Sequence, residues 1–110
     1  MIERVWRGWI ANDKAEAYRD FLRDTFLSAA HAIPGYRGAH VLQRKIGNES
    51  EFMTITHFDS LAAIRAFAGE DIEKAHVAPE ARALLDCWDD RVAHYEIAFD
   101  DRNDATEPAT

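Results

Sequence analysis

The stretch YRGAHVLQRKIGNESEFMTITHF, residues 36–58, decides how this chain folds. Both of its ends are rich in aromatic, aliphatic and β-branched residues, and Gly47-Asn48 stands between them. That pattern predicts a hairpin, with one strand over residues 36–46 and another over 51–58, joined by a loop over 47–50. This loop length sets Ile46 opposite Glu51, Leu42 opposite Ile55 and His40 opposite His57. Side chains alternate along a strand, so a slip of one residue sends the two histidines to different faces of the sheet.

Working outward, Pro34-Gly35 closes a helical region on the N-terminal side. There Tyr18, Phe21, Leu22, Thr25, Phe26 and Ala29 recur at i, i+3, i+4 spacing, while Arg19, Asp20, Arg23 and Asp24 take the other face. Asp13 and Glu16 form a capping-box pattern at its start. Residues 2–10 (IERVWRGWI) are bulky and read as a strand. After the hairpin, Asp59-Ser60 caps a second helix that carries Leu61, Ile64, Phe67 and Ala68 on one side and stops at Gly69. A short helical piece is expected over 71–77, a helix from Pro79 to about Leu85, and a last strand over 91–99. The element order is βαββαβ. It specifies an α+β, ferredoxin-like fold with a four-stranded antiparallel sheet and both main helices on one face.

The other face then lacks a cover. The last strand has Ala93, Tyr95, Ile97 and Phe99 on one side but Val92 and Ala98 on the other. The first has Val5 and Trp9 against Ile2, Trp6 and Ile10. A half-solvated sheet alternates apolar and polar cleanly, and these strands do not. A second copy of the sheet covers such a face economically, so a homodimer joined through the sheet is expected.

The 110 residues fit one domain, here residues 1–99, followed by an acidic tail over 100–110 that is expected to be disordered. The tail (four acids, one arginine) carries -3 of the net charge of -7. The body has no Lys/Arg cluster, which argues against a nucleic-acid partner. No apolar run reaches the length of a membrane span, and MIERVWRGW is no signal-peptide core. With a single cysteine, Cys87, the chain forms no internal disulfide; Cys87 reads as a small buried hydrophobe, and the location as cytoplasmic.

Several segments carry a likeness: RVWRGW in the first strand, IPGYRGAHVL entering the second, EFMTITHFDS, KAH and VAHYEI. Through them residues 2 to about 99 resemble the antibiotic biosynthesis monooxygenase-like family of the dimeric α+β barrel group. The resemblance implies a dimeric ferredoxin-like barrel with a pocket in each subunit between sheet and helices. It also implies a choice of activities. Members include cofactor-independent oxygenases of polycyclic aromatics, quinol oxygenases and haem-degrading enzymes. Some haem-degrading relatives place a haem-ligating histidine at the end of the short helix, one residue beyond His76. They also carry an asparagine in the first strand and a tryptophan on the second helix, where this chain has Arg7-Gly8 and Phe67.

The residues themselves bear few chemical signatures. None of His31, His40, His57, His76 and His94 stands at metal-ligand spacing, and no phosphate-cradling glycine loop or G-x-S-x-G element occurs. No metal and no organic cofactor is therefore expected, with haem as the alternative. His57 and His40 are the candidate catalytic bases, because an imidazole near neutral pKa can take a phenolic proton. Tyr36 and Arg37 are candidate polar anchors, Trp6, Phe58 and Phe67 candidate walls, and His76 a further contact. The activity that the resemblance implies is cofactor-independent monooxygenation of a planar aromatic, phenolic or quinonoid small molecule. The competing readings are a haem-binding or haem-degrading protein and a non-catalytic ligand-binding dimeric module.

Overall fold

A computed structural model of the chain describes residues 1–101. The proposed disordered tail lies, apart from its first two residues, outside the described residues. The elements in chain order are β1 (Ile2–Ala11), α1 (Ala15–Phe21), α2 (Leu27–Ala30), β2 (Tyr36–Ile46), β3 (Glu49–Phe58), α3 (Leu61–Ala68), α4 (Pro79–Leu84), β4 (Cys87–Trp88) and β5 (Ala93–Glu96). The sheet order is β2-β3-β1-β4, with β5 also on β1, and every pairing is antiparallel. This is the α+β, ferredoxin-like arrangement expected from the element order.

The hairpin forms with a different register. Ile46 pairs with Glu49, Leu42 with Met53, His40 with Ile55 and Gly38 with His57. The turn is two residues rather than four, because Gly47 takes φ 61° and Asn48 stays at negative φ. A positive φ at the first central residue belongs to the tight type II′ hairpin turn, whose twist matches that of the strands. The slip from the expected register is even, so His40 and His57 still share a face. Beyond it, a bulge interrupts the pairing between Tyr36 and Gly38.

Two further expectations are corrected together. Residues 71–77 are not helical, and the last strand covers Ala93–Glu96 rather than 91–99. The reason is a non-local pairing. Val92 N–H donates to the Glu73 carbonyl at 2.8 Å, Ala75 N–H to that of Asp90 at 3.4 Å, and Lys74 bridges to Arg91. This pulls 73–75 into an extended path and takes 90–92 away from β1. The capping box at Asp13 is also absent: the first helical turns carry no side-chain cap, and a short 3₁₀ turn over Asn12–Lys14 leads into α1. Ser60, by contrast, caps α3 as expected, its Oγ accepting from Ala63 N–H at 3.2 Å.

The helices cover the face of the sheet that holds the even-numbered residues of β1 and β3. Ile10, Phe52, Tyr18 and Leu22 form one core cluster, and Phe58, Ala63, Ile64 and Ala68 a second. The uncovered face presents Leu42, Ile46 and Tyr95, all exposed. Cys87, opposite Trp9 on this face, is exposed and not the buried hydrophobe expected. Among the described residues, no helix is long and apolar enough to cross a membrane.

Candidate functional site

Between the two core clusters the helices stand off the sheet and leave a cavity of about 510 Å³. Its sheet side is made by alternate residues of neighbouring strands, Arg4 and Trp6 from β1 and Thr54 and Thr56 from β3. Its helix side comes from Tyr18, Phe21, Leu22 and Phe26, with Phe67 from α3. Between α1 and α2 the helix widens into a π turn over Leu22–Phe26, and both residues that bound this turn line the cavity. Such turns re-aim side chains within an otherwise regular helix. Here Phe26 meets Phe67 edge to face, with centroids 5.8 Å apart. The extended strap over 74–78, with Arg82 behind it, forms the rim and carries Lys74 and His76.

The cavity's charged point on its sheet side is Arg4. Arg4 is only 7% exposed. Its Nη1 donates to the Ile72 carbonyl and lies 3.0 Å from His94 Nε2, and its guanidinium stands 5.5 Å above the centre of the Phe67 ring. Burial lowers the Arg4 pKa to about 10, which still leaves it cationic at neutral pH. His94 is pushed down from its ordinary value, first by burial and then by the neighbouring Arg4 charge. It is therefore a neutral imidazole whose Nε2 accepts and whose Nδ1 bears the proton; that Nδ1 is buried without a partner. Burial also raises Tyr18, to about 12, so its phenol stays protonated. Trp6 directs its Nε1–H away from the cavity, to the Asp89 carbonyl at 2.7 Å.

The expected site residues fall into three places. Trp6, Phe67 and His76 line the helix-side cavity. Phe58 is fully buried behind Phe67, and Tyr36 packs on Phe58 and His31 at the edge of a separate recess under α2. Arg37, His40 and His57 lie across the sheet, around an open recess of about 880 Å³ on the uncovered face. The two histidines do meet: His40 Nδ1 is 3.0 Å from His57 Nε2, and His57 Nδ1 is 3.2 Å from Glu3 Oε1. A carboxylate only accepts, so His57 donates to Glu3 and, in the neutral pair, accepts from His40. Arg37 is engaged by Asp59 at 2.7 and 2.6 Å. Arg4 was not among the expected residues. The one signal for it was a charge standing in phase with Ile2, Trp6 and Ile10 on the apolar side of β1. Among the described residues, no group of three or more His, Cys, Asp or Glu side chains is placed to hold a metal ion.

Comparison with known families adds a decisive observation, since the family model for antibiotic biosynthesis monooxygenases matches residues 1–79. The chain belongs to the antibiotic biosynthesis monooxygenase family. The match takes in β1 through α3 and the strap that rims the cavity. Solved structures agree on the fold. A Bacillus cereus protein assigned to the antibiotic biosynthesis monooxygenases superposes with TM-score 0.65 at 13% identity, covering 93% of this chain and 97% of that one. Rv0793 from Mycobacterium tuberculosis gives 0.61 at 18% identity, covering 90% and 96%. The heme-degrader MhuD from Mycobacterium tuberculosis, solved with two hemes bound in its active site, gives 0.55 at 20% identity, covering 93% and 100%. At these identities the likeness concerns the fold. No significant match is found among curated protein sequences.

Proposed function

We propose that the protein is a cofactor-independent monooxygenase of a planar aromatic, phenolic or quinonoid molecule, bound in the helix-side cavity. The observation that carries this reading is the cavity itself: about 510 Å³, walled by Trp6, Tyr18, Phe21, Phe26 and Phe67. Pockets of this size suit small ligands, and aromatic walls favour flat ones. His76 at the rim is the base in this reading, because the sheet separates His40 and His57 from the cavity. It takes a proton from an activated ring carbon, and the resulting anion combines with dioxygen to give a hydroperoxide. Loss of water then leaves a carbonyl: one oxygen atom stays on the product, the other departs as water, and two C–H bonds supply the four electrons. The walls contribute orientation and exclusion of water. Oxygen uptake with a panel of hydroxyanthrones and hydroquinones tests this. Turnover that falls with His76→Ala supports the role of His76, and no uptake with any member refutes the activity.

A second reading has its own support in the rim. His76 would offer an imidazole nitrogen to haem iron, and Lys74 and Arg82 would offer cations to its propionates. Haem, when bound, would supply an iron that activates dioxygen, while the chain's part would be to hold the macrocycle against aromatic walls that include Trp6 and Phe67. A haem titration decides it, since binding through His76 gives a Soret shift that His76→Ala removes.

The uncovered face, where Leu42, Ile46 and Tyr95 are exposed in the single chain, supports assembly as a homodimer in this reading. In this reading the Glu3–His57–His40 chain lies between two sheets, and the dimer works in the cytoplasm.

A further inference from the structure

Electrostatics narrows the ligand class. Of the chain's 20 Asp and Glu residues, none among those described lines the helix-side cavity, whereas Arg4, Lys74 and Arg82 all do, in a protein of net charge -7. Lys74 and Arg82 are exposed at the rim, where water screens them. Arg4 is not. It sits deep in the cavity, 7% exposed, and no carboxylate among the described residues forms an ion pair with it. Only its Nη1 is used by the protein, for the Ile72 carbonyl and His94 Nε2. No hydrogen bond within the protein engages its Nε or Nη2, and Arg4 lines the same cavity as Trp6 and Phe67. A buried cation without a counter-charge is costly and is normally paired. His94, the side chain beside it, is held neutral by burial and by Arg4 itself, so it positions the guanidinium without cancelling its charge.

We infer that the ligand brings the missing charge: an aromatic anion whose carboxylate, phenolate or enolate oxygen pairs with Arg4 at the sheet end of the cavity, its ring lying against Phe67. This deepens the proposed function and rests on the reading that the cavity holds a planar aromatic. A guanidinium is suited to such oxygens because its planar fork of N–H groups meets them two at a time. Arg4 is then also placed to hold negative charge that builds on the ligand's oxygen when His76 removes a proton.

The test compares two probes of one shape, 2-naphthoate and methyl 2-naphthoate, by calorimetric titration at pH 7.5 and low salt. The wild-type protein is expected to bind the acid about tenfold or more tightly than the ester, a difference of about 1.4 kcal/mol or more. Arg4→Met is expected to bring the two affinities within about twofold by removing the charge-assisted bond, leaving the ester's affinity nearly unchanged. Lys74→Gln and Arg82→Gln are expected to keep the preference. Ester binding without preference for the acid overturns the assignment of Arg4 while sparing the aromatic cavity. Binding of neither probe refutes the cavity reading and this inference with it. A preference lost in Lys74→Gln or Arg82→Gln and kept in Arg4→Met places the anion at the rim and overturns the inference. Should Arg4→Met fail to fold, the wild-type protein still decides. The Arg4 Nε–H resonance is expected to shift with 2-naphthoate and not with the ester, and an unmoved resonance refutes the pairing.

Discussion

Replacing Gly35 by alanine tests whether the junction between α2 and β2 is held by geometry that only glycine allows. Gly35 has φ 91°, a region that side chains disfavour. A Cβ placed there falls 2.7 Å from Cβ of Ala63 on the first turns of α3. Neither atom is the end of a flexible chain, so backbone must move. Strain of this kind costs about 1–3 kcal/mol, and forcing a methyl group into packed space about 1–3 kcal/mol more. Alanine also narrows the unfolded ensemble, which returns about 0.4–1 kcal/mol. The net expectation is a loss of about 1–5.5 kcal/mol, large against the roughly 5–15 kcal/mol that holds a domain together. The Gly35 carbonyl also accepts from Asp59 N–H at 2.9 Å, so the displacement reaches the start of α3 directly. Equilibrium unfolding in urea measures the change; with a slope of about 1–3 kcal/mol/M, the midpoint drops by roughly 1–3 M. Adding Ala63→Gly should recover the contact part of the loss, although alone it weakens α3 by about 1 kcal/mol. A loss below about 1 kcal/mol would refute the steric and conformational argument together. A full loss that Ala63→Gly leaves untouched refutes the steric half.

Other expectations are more local. His94 is depressed in the folded chain, so the unfolded chain takes up its proton first as pH falls through about 6.5. Its contribution is whole above that pH and declines below it toward the folded value; urea midpoints at pH 7.5 and 5 should therefore diverge less in His94→Gln than in the parent. The Asp59 carboxyl, held down chiefly by its hydrogen bond from Arg37, should titrate below the usual carboxylate range by NMR, and Arg37→Ala should raise it. An unchanged Asp59 midpoint in that variant would show that the pair does not persist in solution. Ser60→Ala removes the cap on Ala63 N–H and should lower stability by about 0.5–2 kcal/mol in urea unfolding, an equal midpoint contradicting the cap. Leu42→Glu puts a charge on the uncovered face, and sedimentation should show a dimer reduced to monomer; a monomeric parent rules out the dimer.

The parts of the fold that could be read from sequence are those set by local chemistry. Pro34-Gly35, Gly47-Asn48, Ser60 and Gly69 mark where elements begin or end. The element order and the face shared by His40 and His57 follow. The face survives an incorrect turn length because the register moved by an even number of residues. What failed was set by partners far along the chain. Glu73 and Ala75 draw 90–92 away from β1, and this one pairing both breaks the last strand and keeps 71–77 extended. No local preference announces it.

The site divides along the same line. Aromatic residues at core spacing can be foreseen as walls, but which of them face empty space depends on how far the helices stand off the sheet. Phe67 lines the cavity and Phe58, with its centroid 5.5 Å away, does not. Arg4 shows the limit most clearly. In sequence it is one base among 13, and a charge inside a strand reads as an ordinary surface residue. Only the pairing of β1 with β5 shows that its neighbour is a neutral histidine and not an acid. An arginine buried beside a carboxylate is a structural ion pair; the same arginine beside His94, with N–H groups left over and an aromatic-walled cavity before it, lacks its counter-charge. The identity of the cross-strand residue thus separates packing from recognition, and Arg4 falls on the side of recognition.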